Sequence, residues 1–335
     1  MAWDLPTLLG LAVAFSVVMY VVMDGFDLGV GILFIRAPSD NDRDVMMSSI
    51  APFWDGNETW LVLGGTLLIA AFPVAYATLL PAFYVPLITM LFALIFRGIA
   101  FEFRFQARRF RWLWDLAFSG GSTLAGFCQG LVLGGFIDGI QVESGAFSGS
   151  TFDFASAFAI VCGLGLVAGY ALLGSTWLVF RTEGTTAAYA RAAAPIALLA
   201  TLAFILAVSI WTPLTHSQIA QRWFSWPNIG FLSPVPLLTA LVAYGIWRAV
   251  GEAREARPFV LSIVLFLLAF LGLGVSLWPY AVPYGTTLWQ AASSDATLVF
   301  VGVGTAVIVP IILGYLSYAH WIFRGKTSQD AGYGR

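Results

Sequence analysis

Charge is what this chain has least of. Only 10% of its 335 residues are Asp, Glu, Lys or Arg, against about 25% in a soluble globular domain. Thirty-four formal charges cannot cover the surface of a molecule that is 59% hydrophobic and 16% aromatic, so a soluble enzyme is excluded and most of the exterior suits lipid. A net charge of −2 supplies no basic field for phosphates, which excludes nucleic-acid binding. Cysteine and histidine are nearly missing. Cys128 and Cys162 both lie inside apolar runs and read as small buried residues, and with only two histidines they cannot build a metal site. The opening MAWDLPTLLG has no positive stretch and its apolar run continues past Val22, the pattern expected of a retained span rather than a cleaved signal.

Long apolar runs are abundant. Matched against a hydrocarbon layer crossed by about 20 residues, they predict nine spans: Leu5 to Ile35, Phe53 to Phe72, Pro81 to Ala100, Leu116 to Ile137, Phe154 to Phe180, Ala194 to Leu214, Pro234 to Trp247, Phe259 to Leu277 and Ala296 to Phe323. The seventh is short, but Pro234 and Pro236 suit a first helical turn and Trp247 an interfacial anchor. No linker or change of composition separates the runs, so residues 1–335 read as one all-α integral-membrane domain. Gly25/Gly29, Gly126/Gly130/Gly134 and Gly165/Gly169 are spaced for close helix contact.

The positive residues set the orientation. Arg36 and Arg43 follow span one; Arg97, Arg104, Arg108, Arg109 and Arg111 lie at or after the end of span three. Arg181 and Arg191 follow span five, Arg248, Arg254 and Arg257 span seven, and Arg324, Lys326 and Arg335 span nine. Fifteen of the sixteen thus occupy alternate connections, and only Arg222 falls on the other side. The positive-inside rule then places the N-terminus outside and the C-terminus in the cytoplasm.

Ionisable residues inside spans are costly and usually functional. Here they are Asp24 and Asp27 late in span one, Asp55 and Glu58 early in span two, and Arg97 with Glu102 at the end of span three. The alternation puts all six in the cytoplasmic third of the membrane. Each acidic pair is spaced three apart, on one helix face, as a proton uptake route from the cytoplasm requires. The structural alternative is that Arg97 neutralises one aspartate while the other acids cap turns broken at Gly25 and Gly56. His216 and His320 fall at opposite membrane faces and cannot clamp one haem. Met19 and Met23 read as core filling, and Gly163-Leu-Gly165-Leu-Val-Ala-Gly169 lies mid-span without the strand–helix setting of a dinucleotide fingerprint, so it reads as helix packing.

Asp24-Gly-Phe-Asp27-Leu-Gly-Val-Gly31, followed by Ser49-Ile-Ala-Pro-Phe-Trp-Asp-Gly-Asn57 and Trp60, resembles the two signature stretches of subunit II of the cytochrome bd quinol oxidases, a family that includes cyanide-insensitive members. Phe83-Tyr-Val85, Phe96-Arg97, Phe101-Glu102-Phe103-Arg104, Trp112, Trp114-Asp115, Thr287-Leu-Trp289, Ala292-Ser-Ser294, Val309-Pro-Ile-Ile-Leu313 and Phe323-Arg-Gly-Lys326 follow that family's order along essentially the whole chain. Phe53 departs from it, standing where relatives carry His.

The resemblance implies a terminal oxidase of aerobic respiration in a bacterial cytoplasmic membrane, oxidising quinol and reducing dioxygen to water with cytoplasmic protons. It implies nine helices in two four-helix bundles plus one peripheral helix. Haems b558, b595 and d are expected in the partner, subunit I, with none ligated by this chain; quinone, the lipid bilayer and a small single-helix accessory subunit are further expected partners. Carried over by motif, Asp24, Asp27, Asp55 and Asn57 fall to proton supply or its scaffolding. Trp60, beside Gly64 and Gly65, falls to an apolar dioxygen path.

Two other functions compete. A secondary transporter would also explain buried acids and glycine-rich spans, but it predicts acids at the midplane and in both halves of the chain. A purely structural anchor for subunit I shares the family and assigns Asp55 to packing. The topology is directly testable: reporter fusions after Arg109, Glu143, Arg191, Arg222, Arg254 and Ser293 are expected to alternate inside and outside, and two neighbouring fusions on one side would refute the nine-span reading.

Overall fold

The computed structural model describes residues 4–107, 109–143, 146–252 and 256–327; Arg108, Arg254 and Arg335, counted above among the positive connections, lie outside them. The chain runs α1 (Leu5–Phe34), α2 (Asp40–Ile50), α3 (Trp54–Ala71), α4 (Pro73–Phe103), α5 (Arg111–Asp138), a two-stranded hairpin β1 (Val142–Glu143) and β2 (Ala146–Phe147), then α6 (Ala157–Arg181) and α7 (Gly184–Thr215). Short helices α8 (Ser217–Phe224) and α9 (Asn228–Leu232) lead into α10 (Pro234–Gly251) and α11 (Arg257–Leu277). A second hairpin, β3 (Tyr280–Val282) and β4 (Thr286–Thr287), and one turn, α12 (Leu288–Ala291), precede α13 (Asp295–Ile322). Both hairpins are antiparallel. The long helices alternate between an α2 face and an α8 face.

Among the described residues eight helices are long and apolar enough to cross a membrane, the seventh expected span being one of them within Asn228–Gly251. The second expected span is not among the eight. Its helix, α3, has 18 residues, about 27 Å at the helical rise, but Asp55, Asn57 and Glu58 crowd its first turns and dilute its apolarity.

Local chemistry sets the helix ends. Ser39, Ser156 and Ser294 accept backbone N–H groups at the starts of α2, α6 and α13, and proline occupies the first turns of α1, α4, α10 and α11, where its missing N–H costs nothing. The third span begins earlier than expected. α4 starts at Pro73 and passes Pro81 and Pro86 with one non-helical residue, Phe83 (φ −115°, ψ 17°); Pro86 removes a ladder bond there and kinks the helix without ending it.

α1 packs on α3, α5 and α6, α5 on α4 and α6, α6 on α7 and α11, and α10 on α7 and α11, while α13 touches α3 and α1. Several of the glycines spaced for helix contact make close approaches. A Cβ on Gly29 would overlap the Tyr170 carbonyl and stand 2.7 Å from the Gly174 amide nitrogen, and one on Gly130 would stand 2.5 Å from the Gly163 Cα. In lipid, where helices gain little from burying apolar surface, such backbone contact supplies the packing. No turn is broken at Gly25. α1 is continuous from Leu5 to Phe34, and Gly25 instead makes room for the Tyr170 ring, whose Cε1 would lie 2.8 Å from a Cβ there, so Asp24 and Asp27 are mid-helix residues and not caps.

The connection after span one is a helix, which the sequence reading left unassigned. In α2 the Ser39 hydroxyl accepts from the Asp42 amide at 3.1 Å and donates to its carboxylate at 2.6 Å. Asp42 also accepts from Thr185 at 2.6 Å and Thr186 at 2.8 Å, fastening α2 to α7. Burial pushes the Asp42 carboxyl up, but these hydrogen bonds outweigh it and hold it below the usual carboxylate range. Its contribution is therefore present above the ordinary carboxylate pKa and fades as pH falls through the depressed value.

Several arginines assigned to connections belong to helices. Arg104 is fully buried; its guanidinium bonds Asp44 and Asp115, Arg111 shares Asp44, and Arg43 reaches Asp40 at 2.6 Å and Asp115 at 3.4 Å. Arg181 is also buried and donates to the Phe323 carbonyl, while the Thr327 amide donates to the Arg181 carbonyl at 2.8 Å, strapping the end of α13 to the end of α6. Arg222, the exception on the α8 face, donates to the carbonyls of Val275, Ser276 and Trp278. It caps α11, where a cation is favoured.

Gly29→Ala is expected to push α1 from α6 and to destabilise the protein by about 1–3 kcal/mol, the usual cost of overpacking. Thermal denaturation in detergent checks this, with Gly314→Ala, whose added Cβ meets nothing within 4 Å, expected to leave the transition unchanged.

Candidate functional site

α1, α3 and α4 meet around one arginine. α1 presents Asp24 and Asp27 on one face one turn apart, α3 presents Asn57 and Glu58 from its first turns, and α4 brings Arg97 across from the opposite side. Asp24 and Asp27 are 0% exposed and Arg97 1%. The Arg97 Nη1 lies 3.0 Å from Glu58 Oε1, a hydrogen-bonded ion pair, and 3.4 Å from Asp24 Oδ1. Asn57 Nδ2 donates to Asp27 Oδ2 at 2.7 Å and to the Met23 carbonyl at 3.2 Å. The Trp54 ring lies under the guanidinium, 5.9 Å from its carbon.

One guanidinium thus pairs with two carboxyl groups, and a third, Asp27, stands one turn along α1 from Asp24. A buried charge without a counter-charge costs several kcal/mol, and this site holds more carboxyls than one cation can neutralise. Its hydrogen bonding is also incomplete. Both Asp24 oxygens, Asp27 Oδ1, Asn57 Oδ1, and Arg97 Nε and Nη2 are buried without a hydrogen-bond partner among the described residues, where natural interiors leave few such groups. Clusters of this kind inside spans mark ion and proton pathways.

The other expected residues fall around it. The Glu58 side chain is 29% exposed, and Asp55, one turn nearer the α2 face, is exposed and close enough for its charge to act on Glu58. Glu102, expected beside Arg97, is exposed and stands outside the cluster, because five residues carry it round α4 from Arg97 to another side of the helix. Trp60 is fully buried, edge-on to Phe15 at 5.6 Å, between Tyr20 and Leu316. The histidines stand in separate clusters: His216 is 3.6 Å from Asp138 and stacks on Tyr284, while His320 stacks on Phe53 at 4.2 Å with its Nδ1 against the Leu316 carbonyl. Neither could share a haem with the other. Among the described residues no group of three or more His, Cys, Asp or Glu could hold a metal ion.

Sequence reasoning missed a second layer. Tyr170 on α6 donates to Gln129 Oε1 at 2.5 Å, and Gln129 Nε2 on α5 donates to the Tyr20 hydroxyl at 2.8 Å; Tyr20 lies one turn before Asp24 and interacts with it. Gly25 and Gly126, both spaced for helix contact in the sequence, flank the Tyr170 ring. A polar residue amid such glycines, as Gln129 is, was the available signal. Arg104 and Asp115 were likewise taken singly, although their pairing joins α4 to α5.

The family model of cytochrome bd terminal oxidase subunit II matches residues 5–323. The chain is 29% identical to cytochrome bd-I ubiquinol oxidase subunit 2 of Escherichia coli strain K12 over 96% of this chain and 94% of that protein. It is 26% identical to cytochrome bd ubiquinol oxidase subunit 2 of Bacillus subtilis strain 168, covering 94% and 95%. Its fold matches a chain of the bd oxidase from Geobacillus thermodenitrificans with a TM-score of 0.77 at 17% identity, covering 95% of this chain and 98% of that one.

Proposed function

Because the chain belongs to the family of cytochrome bd terminal oxidase subunit II, and is thus a subunit of a multi-pass quinol oxidase of the bacterial inner membrane, we propose that it takes up protons for water formation through the Arg97 cluster. The α2 face, which carries nearly all the described positive residues, is read as cytoplasmic. Protons pass from Asp55 at the surface to half-buried Glu58, and from there to Asp24 and Asp27, with Asn57 fixing Asp27 and Arg97 holding the acids together. The observation that carries this reading is the gradient of burial along the acids, from exposed Asp55 to wholly enclosed Asp24 and Asp27.

Subunit I is the partner that holds the haems and oxidises quinol, and α3 and α13, with their exposed apolar sides, fit a wall of the complex. The neighbour relations of the helices fit two groups of four, α1, α3, α4 and α5 against α6, α7, α10 and α11, with α13 at the edge as a ninth span. The same reading makes Trp60 the wall of a dioxygen route; its full burial and the open side of Gly65, where an added Cβ meets nothing within 4 Å, support it.

The test is quinol-driven oxygen consumption by the assembled complex. Asp55→Asn and Glu58→Gln keep shape and hydrogen bonding while removing the exchangeable proton, and each is expected to lower turnover at least about tenfold, roughly 1.4 kcal/mol on the limiting barrier, with haem content unchanged. Normal turnover in both fully assembled variants would leave the anchor reading in place of this one.

A further inference from the structure

The three side chains behind the cluster form a chain of hydrogen bonds with a direction. Tyr170 is fully enclosed, and its ring is wedged between Gly25 of α1 and Gly126 of α5 and stacked on Phe266 at 6.2 Å. Its hydroxyl donates to Gln129 Oε1, which turns the amide so that Nε2 donates to Tyr20. The Tyr20 oxygen is then occupied as an acceptor, so its own proton is not spent on Gln129. Across one turn of α1 stands Asp24, with which Tyr20 interacts and whose buried oxygens otherwise meet only the Arg97 guanidinium, 3.4 Å away. With the amide turned over, Tyr20 would spend its proton on Gln129, the Tyr170 proton would lose its acceptor, and Asp24 would face no free hydroxyl. Both ends of the chain therefore favour the observed orientation, since an unmet buried donor or acceptor costs free energy. An amide bears no exchangeable proton relay at ordinary pH, so this chain is not a conduit.

From this geometry we infer that Tyr170 and Gln129 are positioning residues that present the Tyr20 hydroxyl to Asp24 and so set the hydrogen bonding of that carboxyl group. The inference rests on the proton-supply reading of the cluster for its effect on turnover, but not for its structural content.

Infrared difference spectra of the assembled oxidase complex test it, with the carboxyl band of Asp24 identified by its loss in Asp24→Asn or, where that variant does not assemble, by its shift under 13C-aspartate labelling in Tyr20→Phe and wild type. Tyr20→Phe and Gln129→Leu are each expected to displace that band, and Tyr170→Phe to displace it in the same direction, because the amide is then free to turn. Tyr189→Phe, whose hydroxyl bonds the Leu33 carbonyl elsewhere, is expected to leave it in place. Oxygen consumption in Tyr20→Phe is expected to fall by roughly tenfold, the scale of one hydrogen bond to a charged group. A carboxyl band unmoved in haem-loaded Tyr20→Phe overturns the inference. A displaced band with undiminished oxygen consumption upholds the positioning chain and overturns the proton-supply reading instead.

Discussion

The buried Arg97 guanidinium is the constraint on which the rest of the arrangement depends. A cation enclosed among apolar helices must be met by carboxylates, and in this chain they come from two other helices, Asp24 on α1 and Glu58 on α3. That requirement fixes the rotation of three helices about their axes and brings Asp27 and Asn57 into contact as a consequence. It also explains the polar start of α3, which weakens that segment as an isolated span. The sequence cost is local, and the gain is a cluster with more carboxyls than cations.

Close backbone contact gives the cluster its rigid backing. Gly29 and Gly174 let α1 and α6 touch, and Gly25 and Gly126 accept the Tyr170 ring between α1 and α5. The same glycines that pack helices therefore also place a hydroxyl chain behind Asp24. At the α2 face a second set of ion pairs, Arg104 with Asp44 and Asp115, ties α2 to the ends of α4 and α5. The two arginines lie seven residues apart, Arg97 inside α4 and Arg104 just past its end with helical dihedrals, two turns of one face, and each gathers acids from two other segments.

Much of this was legible in the sequence. The long apolar runs identified the fold class, and the spacing of Asp24, Asp27, Glu58 and Arg97 picked out residues that the structure brings together. Glu102 was grouped with them by proximity in sequence, but helical rotation separates it from Arg97. α2 escaped notice because its residues are polar and its signal was the cap Ser39 with Asp42, not apolar periodicity. The broken turn that the structural alternative supposed at Gly25 is absent, because glycine in a lipid-embedded helix serves contact between helices as readily as it serves turns. The Tyr20, Gln129 and Tyr170 chain was invisible because its members come from three helices, and only their packing brings them together.

Proton uptake in a single turnover tests the central claim most directly. Fully reduced complex in nanodiscs would be mixed with dioxygen, with a pH dye following uptake while absorbance follows the haems. The account predicts that Asp24→Asn, assembled and haem-loaded, slows uptake at least about tenfold in step with water formation. Uptake as fast as in the unaltered complex would contradict it.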